Sequence, residues 1–180
     1  MASVGLPAIV HLIPVISSTC SLWFAWDQYE FLMVFCKPEL RSLSNKLLTP
    51  YFTTFFNRGA PRVVALLATT ALSCGYILRY SPCAILGDSA SWYIAGKPAQ
   101  NAEWISNNNL MPIGLSFALG HLVWAPVILP SIRAIQGDAK ENNVAELQNW
   151  LRIHAWRSLT VDIAAWVCCI VATTKCLDRY

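Results

Sequence analysis

The amino-acid sequence predicts an all-α fold, a four-helix transmembrane bundle, and three observations carry that prediction. Of 180 residues, 56% are hydrophobic and 13% are charged, against roughly 25% charged in an ordinary soluble domain. A single soluble core of this size does not need so much apolar surface, whereas each bilayer-spanning helix takes about 20 apolar residues. The charged residues also divide the chain into four apolar runs. The formal charge of +3 is small and scattered, so no nucleic-acid partner is expected. The lipid bilayer is the expected partner.

Each run can be justified in turn. No Asp, Glu, Lys or Arg occurs from Met1 to Trp26; Asp27 and Glu30 interrupt the run, and Lys37 ends it. This stretch lacks the basic start of a signal peptide and carries acids where a cleaved peptide would end, so it reads as a retained helix. The second run lies between Arg62 and Arg79, the third from Leu110 to Ile132, and the fourth from Leu159 to Thr174. The spans are expected near 8–36, 61–79, 110–132 and 156–175, in one integral membrane domain, with Arg and Lys snorkelling at the ends of the shorter ones.

Basic residues orient the bundle. The connections at 37–62 and 133–157 hold Lys37, Arg41, Lys46, Arg58, Arg62, Arg133, Lys140, Arg152 and Arg157, while Arg79, Lys97, Lys175 and Arg179 lie on the other side. The positive-inside bias then places both termini on the luminal side, with the endoplasmic reticulum as the expected membrane. Trp23, Trp26, Trp92, Trp104, Trp150 and Trp156 fall near span ends or in flanking loops, as an aromatic belt would. Tyr51, Phe52, Phe55 and Phe56 read as an interfacial aromatic segment.

Cysteine chemistry is not prominent. Cys20, Cys36, Cys74, Cys168 and Cys169 sit in or at the ends of apolar runs and read as small hydrophobic residues. No CxxC pair occurs, so no zinc knuckle or thioredoxin-like motif is supported. Cys83 and Cys176 are the two that would face the lumen, where a disulfide is conceivable. His11, His121 and His154 are scattered. No metal and no cofactor is expected.

The polar residues inside the spans are the informative ones. A charge at the bilayer centre costs about 3 kcal/mol on insertion scales, so such groups usually face a bundle interior. Trp23, Asp27 and Glu30 are spaced to share one helix face, as are Trp150, His154 and Arg157. Asp162 lies about a turn further on, and His121 is near the middle of the third span. Asp27, Glu30, His154, Arg157 and Asp162 are therefore expected to converge near the cytosolic face. Asp27 is the candidate base, Glu30 or His154 the acid and Arg157 the clamp, with Trp23 and Trp150 against an apolar small-molecule substrate. The competing reading has these groups pairing in the headgroup region, with His121 bonded within the bundle.

The stretch Glu146-Leu-Gln-Asn-Trp150-Leu-Arg-Ile-His154-Ala-Trp-Arg157-Ser-Leu resembles the last helix of a family of small four-span membrane proteins that includes the fungal anthrone oxygenases. The shared pattern is a Trp, an Asn or His four residues on, and an Arg three after that. Pro126-Val-Ile-Leu-Pro130 resembles the same family, and the likeness covers about the last third of the chain. The first helix departs from it, with Trp26-Asp27-Gln28-Tyr29-Glu30 where that family has small and Ser-rich residues. In size, topology and acids the chain is similar to the small membrane epoxide hydrolases of fungal polyene-pyrone pathways of the aurovertin and citreoviridin type. That resemblance implies acid–base hydrolysis or cyclisation of an epoxide on an apolar polyketide, beside a partner monooxygenase that makes the epoxide. The anthrone-oxygenase resemblance implies cofactor-free oxygenation instead, with His154 deprotonating a phenol and Arg157 holding the phenolate. A third reading is a non-catalytic membrane partner protein.

Overall fold

The computed structural model describes residues 8–80, 110–139 and 142–177. They form four helical rods, each long and apolar enough to cross a membrane. The first rod is α1 (Ala8–Met33), continued by a 3-10 turn at Val34–Cys36. The second is α2 (Arg41–Tyr80). The third comprises α3 (Leu110–Gly120), a 3-10 turn at His121–Trp124 and α4 (Ala125–Gln136). The fourth comprises α5 (Asn143–Arg157), a π turn at Ser158–Asp162 and α6 (Ile163–Leu177).

The helices continue past the apolar runs. At 40 residues, α2 is about 60 Å long, more than the hydrocarbon core of a bilayer requires. Its first half was expected to be a loop. It is helical because Ser44, Leu48, Phe52 and Gly59 recur on one face and are buried against the other rods. Phe52 is completely buried and meets Trp150 edge to face, with ring centroids 5.7 Å apart. Phe52 is thus part of the core, with Phe55 and Phe56 packed against it, while Tyr51 of the same aromatic segment stays exposed. The fourth rod likewise starts at Asn143, well before its apolar run.

The two short connections meet at one end of the bundle. Asn143 has no exposed surface. Its amide nitrogen donates to the Asn45 carbonyl (3.0 Å) and to Asp138 Oδ1 (2.9 Å), and its Oδ1 accepts from the Ala139 N–H. Asn45 Oδ1 in turn accepts from the Val144 N–H, and Thr49 donates to the Ile135 carbonyl. This knot ties three rod ends together and satisfies orphan backbone groups at two of them, the Ile135 carbonyl and the Val144 N–H. Replacing Asn143 with Ala is expected to cost about 1–3 kcal/mol, read as a lower midpoint of thermal unfolding in lipid nanodiscs.

Two apolar clusters fill the interior. Leu32, Leu48, Phe52, Ile132, Leu147 and Trp150 pack near the knot. Cys74, Ile77, Met111, Cys169 and Ala172 pack towards the opposite end. There Gly114 lets α3 approach α6: a Cβ on it would meet the Cβ of Cys168 at 3.2 Å, a small-residue contact typical of membrane helices. Cys176 is disulfide-bonded; Cys83, Trp92, Lys97, Trp104, Lys140 and Arg179 lie outside the described residues.

Candidate active site

Between these clusters lies a polar layer. Asp162 stands at its centre. Its Oδ1 accepts from His121 Nδ1 at 2.9 Å, and its Oδ2 lies 3.4 Å from Arg157 Nε. The latter is an ion pair without hydrogen-bond alignment, since both atoms lack a hydrogen-bond partner among the described residues. Arg157 Nη2 donates to His154 Nδ1 at 3.1 Å, and His154 Nε2 donates to the Ala25 carbonyl at 2.9 Å. All four side chains are buried. One carboxylate facing one guanidinium lowers the cost of placing either inside a membrane bundle.

Two backbone irregularities bring these groups together. Five residues apart on an α-helix, Arg157 and Asp162 would point about 140° away from each other. The π turn at Ser158–Asp162 widens the helix and closes that angle, as π bulges at functional sites often do. His121 opens the 3-10 turn that precedes Pro126. Proline lacks an N–H and crowds the carbonyl four residues back, so the tighter turn is the local consequence.

The hydrogen bonds assign roles to the two imidazoles. His154 donates through Nε2 and accepts at Nδ1, because a guanidinium has no acceptor. Both nitrogens are committed, and Trp150 stacks on the ring at 4.7 Å. His154 therefore holds Arg157 in place. His121 donates through Nδ1 to the carboxylate, which makes Nε2 its acceptor nitrogen, and among the described residues Nε2 has no partner.

His121 also lines a cavity of about 220 Å³. Phe55, Phe56, Gly59, Val63, Leu67 and Ile128 supply apolar wall, and Gln28, Trp150 and Arg157 join His121 as its polar members. Val64 and Leu122 line the cavity and are also 60% and 56% exposed on the outer surface of the bundle. The cavity thus opens sideways between α2 and the third rod, where lipid tails would lie.

The expected convergence is met in part. His154, Arg157 and Asp162 come together and Trp150 lines the cavity, but Asp27, Glu30 and Trp23 do not join them. The inward stripe of α1 is His11, Ser18, Ala25, Gln28 and Leu32, and the face of Trp23, Asp27 and Glu30 is turned away from it. Trp23 is 67% exposed, Glu30 is exposed and Asp27 is half-buried. The residue of that stretch that enters the cavity is Gln28, next to Asp27 and about 100° around the helix. On the sequence alone Gln28 is left out, Phe55 and Phe56 read as an interfacial segment, and a hydrogen bond within the bundle is favoured for His121. The run of small and polar residues on one stripe of α1 was the available signal for Gln28.

The fold and site define a four-span membrane protein with a buried carboxylate–imidazole–guanidinium network beside a laterally open apolar cavity. Three fungal proteins resemble it along nearly the whole chain. Epoxidase pydX from Acremonium sp is 27% identical over 184 residues, covering 98% of this chain and 100% of that protein. Probable epoxidase scpX from Mollisia scopiformis is 28% identical over 173 residues, 94% and 96% of the two chains. Epoxidase gkaX from Penicillium citrinum is 26% identical over 172 residues, 94% and 95%. No family model matches the chain, and no solved structure matches it.

Proposed function

We propose that the chain is a biosynthetic membrane enzyme that hydrolyses or cyclises an epoxide on an apolar substrate entering from the bilayer. The observation that carries this reading is the Asp162–His121 pair, with Nε2 left as acceptor beside an apolar cavity that Arg157 also borders. His121 takes a proton from water, or from a substrate hydroxyl, as that oxygen attacks an epoxide carbon. The carbon–oxygen bond breaks, Arg157 holds the developing alkoxide, and the imidazolium returns the proton to it. Epoxide plus water becomes a diol; a hydroxy-epoxide becomes an isomeric ring. Asp162 keeps the His121 ring oriented and stabilises it while it is charged.

The names of the three relatives favour a second reading, in which the product is the epoxide. Putting one oxygen atom of O2 into an alkene and releasing the other as water consumes two electrons and two protons, so a donor of electrons must join. In the first reading a partner monooxygenase supplies the epoxide. In either, we place both termini on the luminal side, a reading that the basic residues of the two short connections support, and propose the endoplasmic reticulum as the membrane.

The test is mass spectrometry of products from the full chain in nanodiscs, in air with and without an added electron donor, offered an apolar epoxide, its hydroxy derivative and the parent alkene. Gain of water on the epoxide, or ring closure at unchanged mass, supports the hydrolase–cyclase reading. Gain of one oxygen on the alkene, with the epoxides untouched, sinks it in favour of the second. Lateral entry makes its own prediction. Val64→Trp at the portal is expected to raise KM with kcat kept, as loss of uniform binding does, and to change stability by no more than about 0.5 kcal/mol. An unchanged KM in steady-state kinetics would close that route.

A further inference from the structure

Trp150 poses a question that the proton chemistry does not answer. Its side chain is 4% exposed, stacked on His154 and capped edge-on by Phe52. Its indole Nε1 is buried with no hydrogen-bond partner among the described residues. Buried indole N–H groups ordinarily find an acceptor, and within a membrane bundle water is scarce. Phe would fill the same stack without that cost. Trp150 lines the cavity, and so does Gln28, whose amide makes no hydrogen bond among the described residues. Gly59 leaves room beside that amide: a Cβ on it would stand 3.5 Å from Gln28 Nε2. Trp150 and Gln28 thus both belong to the cavity wall, apart from the His121–Arg157 pair, and the rest of that wall is apolar.

We propose that Trp150 Nε1–H and the Gln28 amide form a recognition site for a second oxygen of the substrate, a carbonyl of the ketone or amide class set in an apolar skeleton. The site selects which apolar molecule stays in the cavity; neither residue takes part in proton transfer. A hydrocarbon of the same shape leaves the indole N–H desolvated and unpaired, whereas a carbonyl satisfies it on entry. Discrimination of this kind comes from the unpaired group rather than from the strength of the new bond. The inference rests on the cavity being the substrate site proposed above, and a binding measurement tests it apart from turnover.

The measurement is equilibrium binding of two probes to the full chain in nanodiscs: a long-chain terminal epoxide with an internal ketone, and the same chain with a methylene in place of the carbonyl. The wild type is expected to bind the ketone about tenfold more tightly. Trp150→Phe keeps the stack and is expected to lose most of that ratio by weakening ketone binding alone; Gln28→Met, of similar volume, is expected to reduce it. Both variants are checked for an unchanged unfolding midpoint, and the Gln28 variant decides the matter if the Trp150 variant does not fold. Equal affinities in the wild type, binding of neither probe, or a ratio that survives both substitutions overturns the proposal. If the ratio holds and neither probe is turned over, the recognition site stands and the epoxide reading falls.

Discussion

Asp162→Asn is expected to be the most damaging single substitution in the chain. Asp162 is the carboxylate facing the Arg157 guanidinium, at 3.4 Å, and it also accepts the His121 N–H. Asparagine keeps the volume and removes the charge, which leaves a buried cation uncompensated. Breaking one side of a buried pair costs about 3–5 kcal/mol, a large share of the stability of a small domain. The expected outcome is a sharp fall in folded yield and unfolding midpoint in nanodiscs. The double variant Asp162→Asn with Arg157→Met removes both charges and is expected to recover most of the midpoint while remaining inactive. Folding that is unharmed by the single change would show that the pair is not buried as described. Failure of the double variant to recover would assign the loss to geometry rather than charge.

His121→Asn is expected to have the largest effect on turnover with the least effect on fold. It removes the acceptor nitrogen at the cavity and retains an amide able to donate to Asp162. General acid–base groups contribute about 10²–10⁴-fold, so kcat should fall by that range. Loss of the ring's packing costs about 1 kcal/mol of stability. Asp27→Asn, on the outer face of α1, is expected to keep kcat. The comparison is a product assay on both variants at equal folded concentration. The reverse pattern, with Asp27→Asn inactive and His121→Asn active, would move the chemistry to the α1 face and discard the His121–Asp162 assignment.

The two carboxylates illustrate what a linear reading can and cannot find. Spacing identified the face carrying Trp23, Asp27 and Glu30 correctly as one face, but periodicity does not say which face turns inward. Both acids lie near the end of the first apolar run, where a charge can reach the membrane surface at little cost. They are consequently poor indicators of the interior. His154 and Arg157 were easier to recognise because they share a face with Trp150, and that aromatic is pulled inward by its own burial. Gln28 is uncharged and sits between two acids, so it drew no notice. His121 is the one ionisable residue in its apolar run, and its importance depends on a partner 41 residues away.

By itself the sequence determined the all-α class, the four membrane-spanning runs and the presence of costly polar residues within them. Those properties are local: the price of an apolar or charged residue in a bilayer is set by its own side chain and its immediate neighbours. Only the tertiary structure decided which polar residues meet. That depended on the rotational phase of each rod, which a 3-10 turn at His121 and a π turn at Ser158–Asp162 reset, and on the packing that turned Gln28 inward and Asp27 aside. A shift of a single residue in phase moves a side chain about 100° around its helix, enough to exchange a cavity wall for a lipid-facing surface.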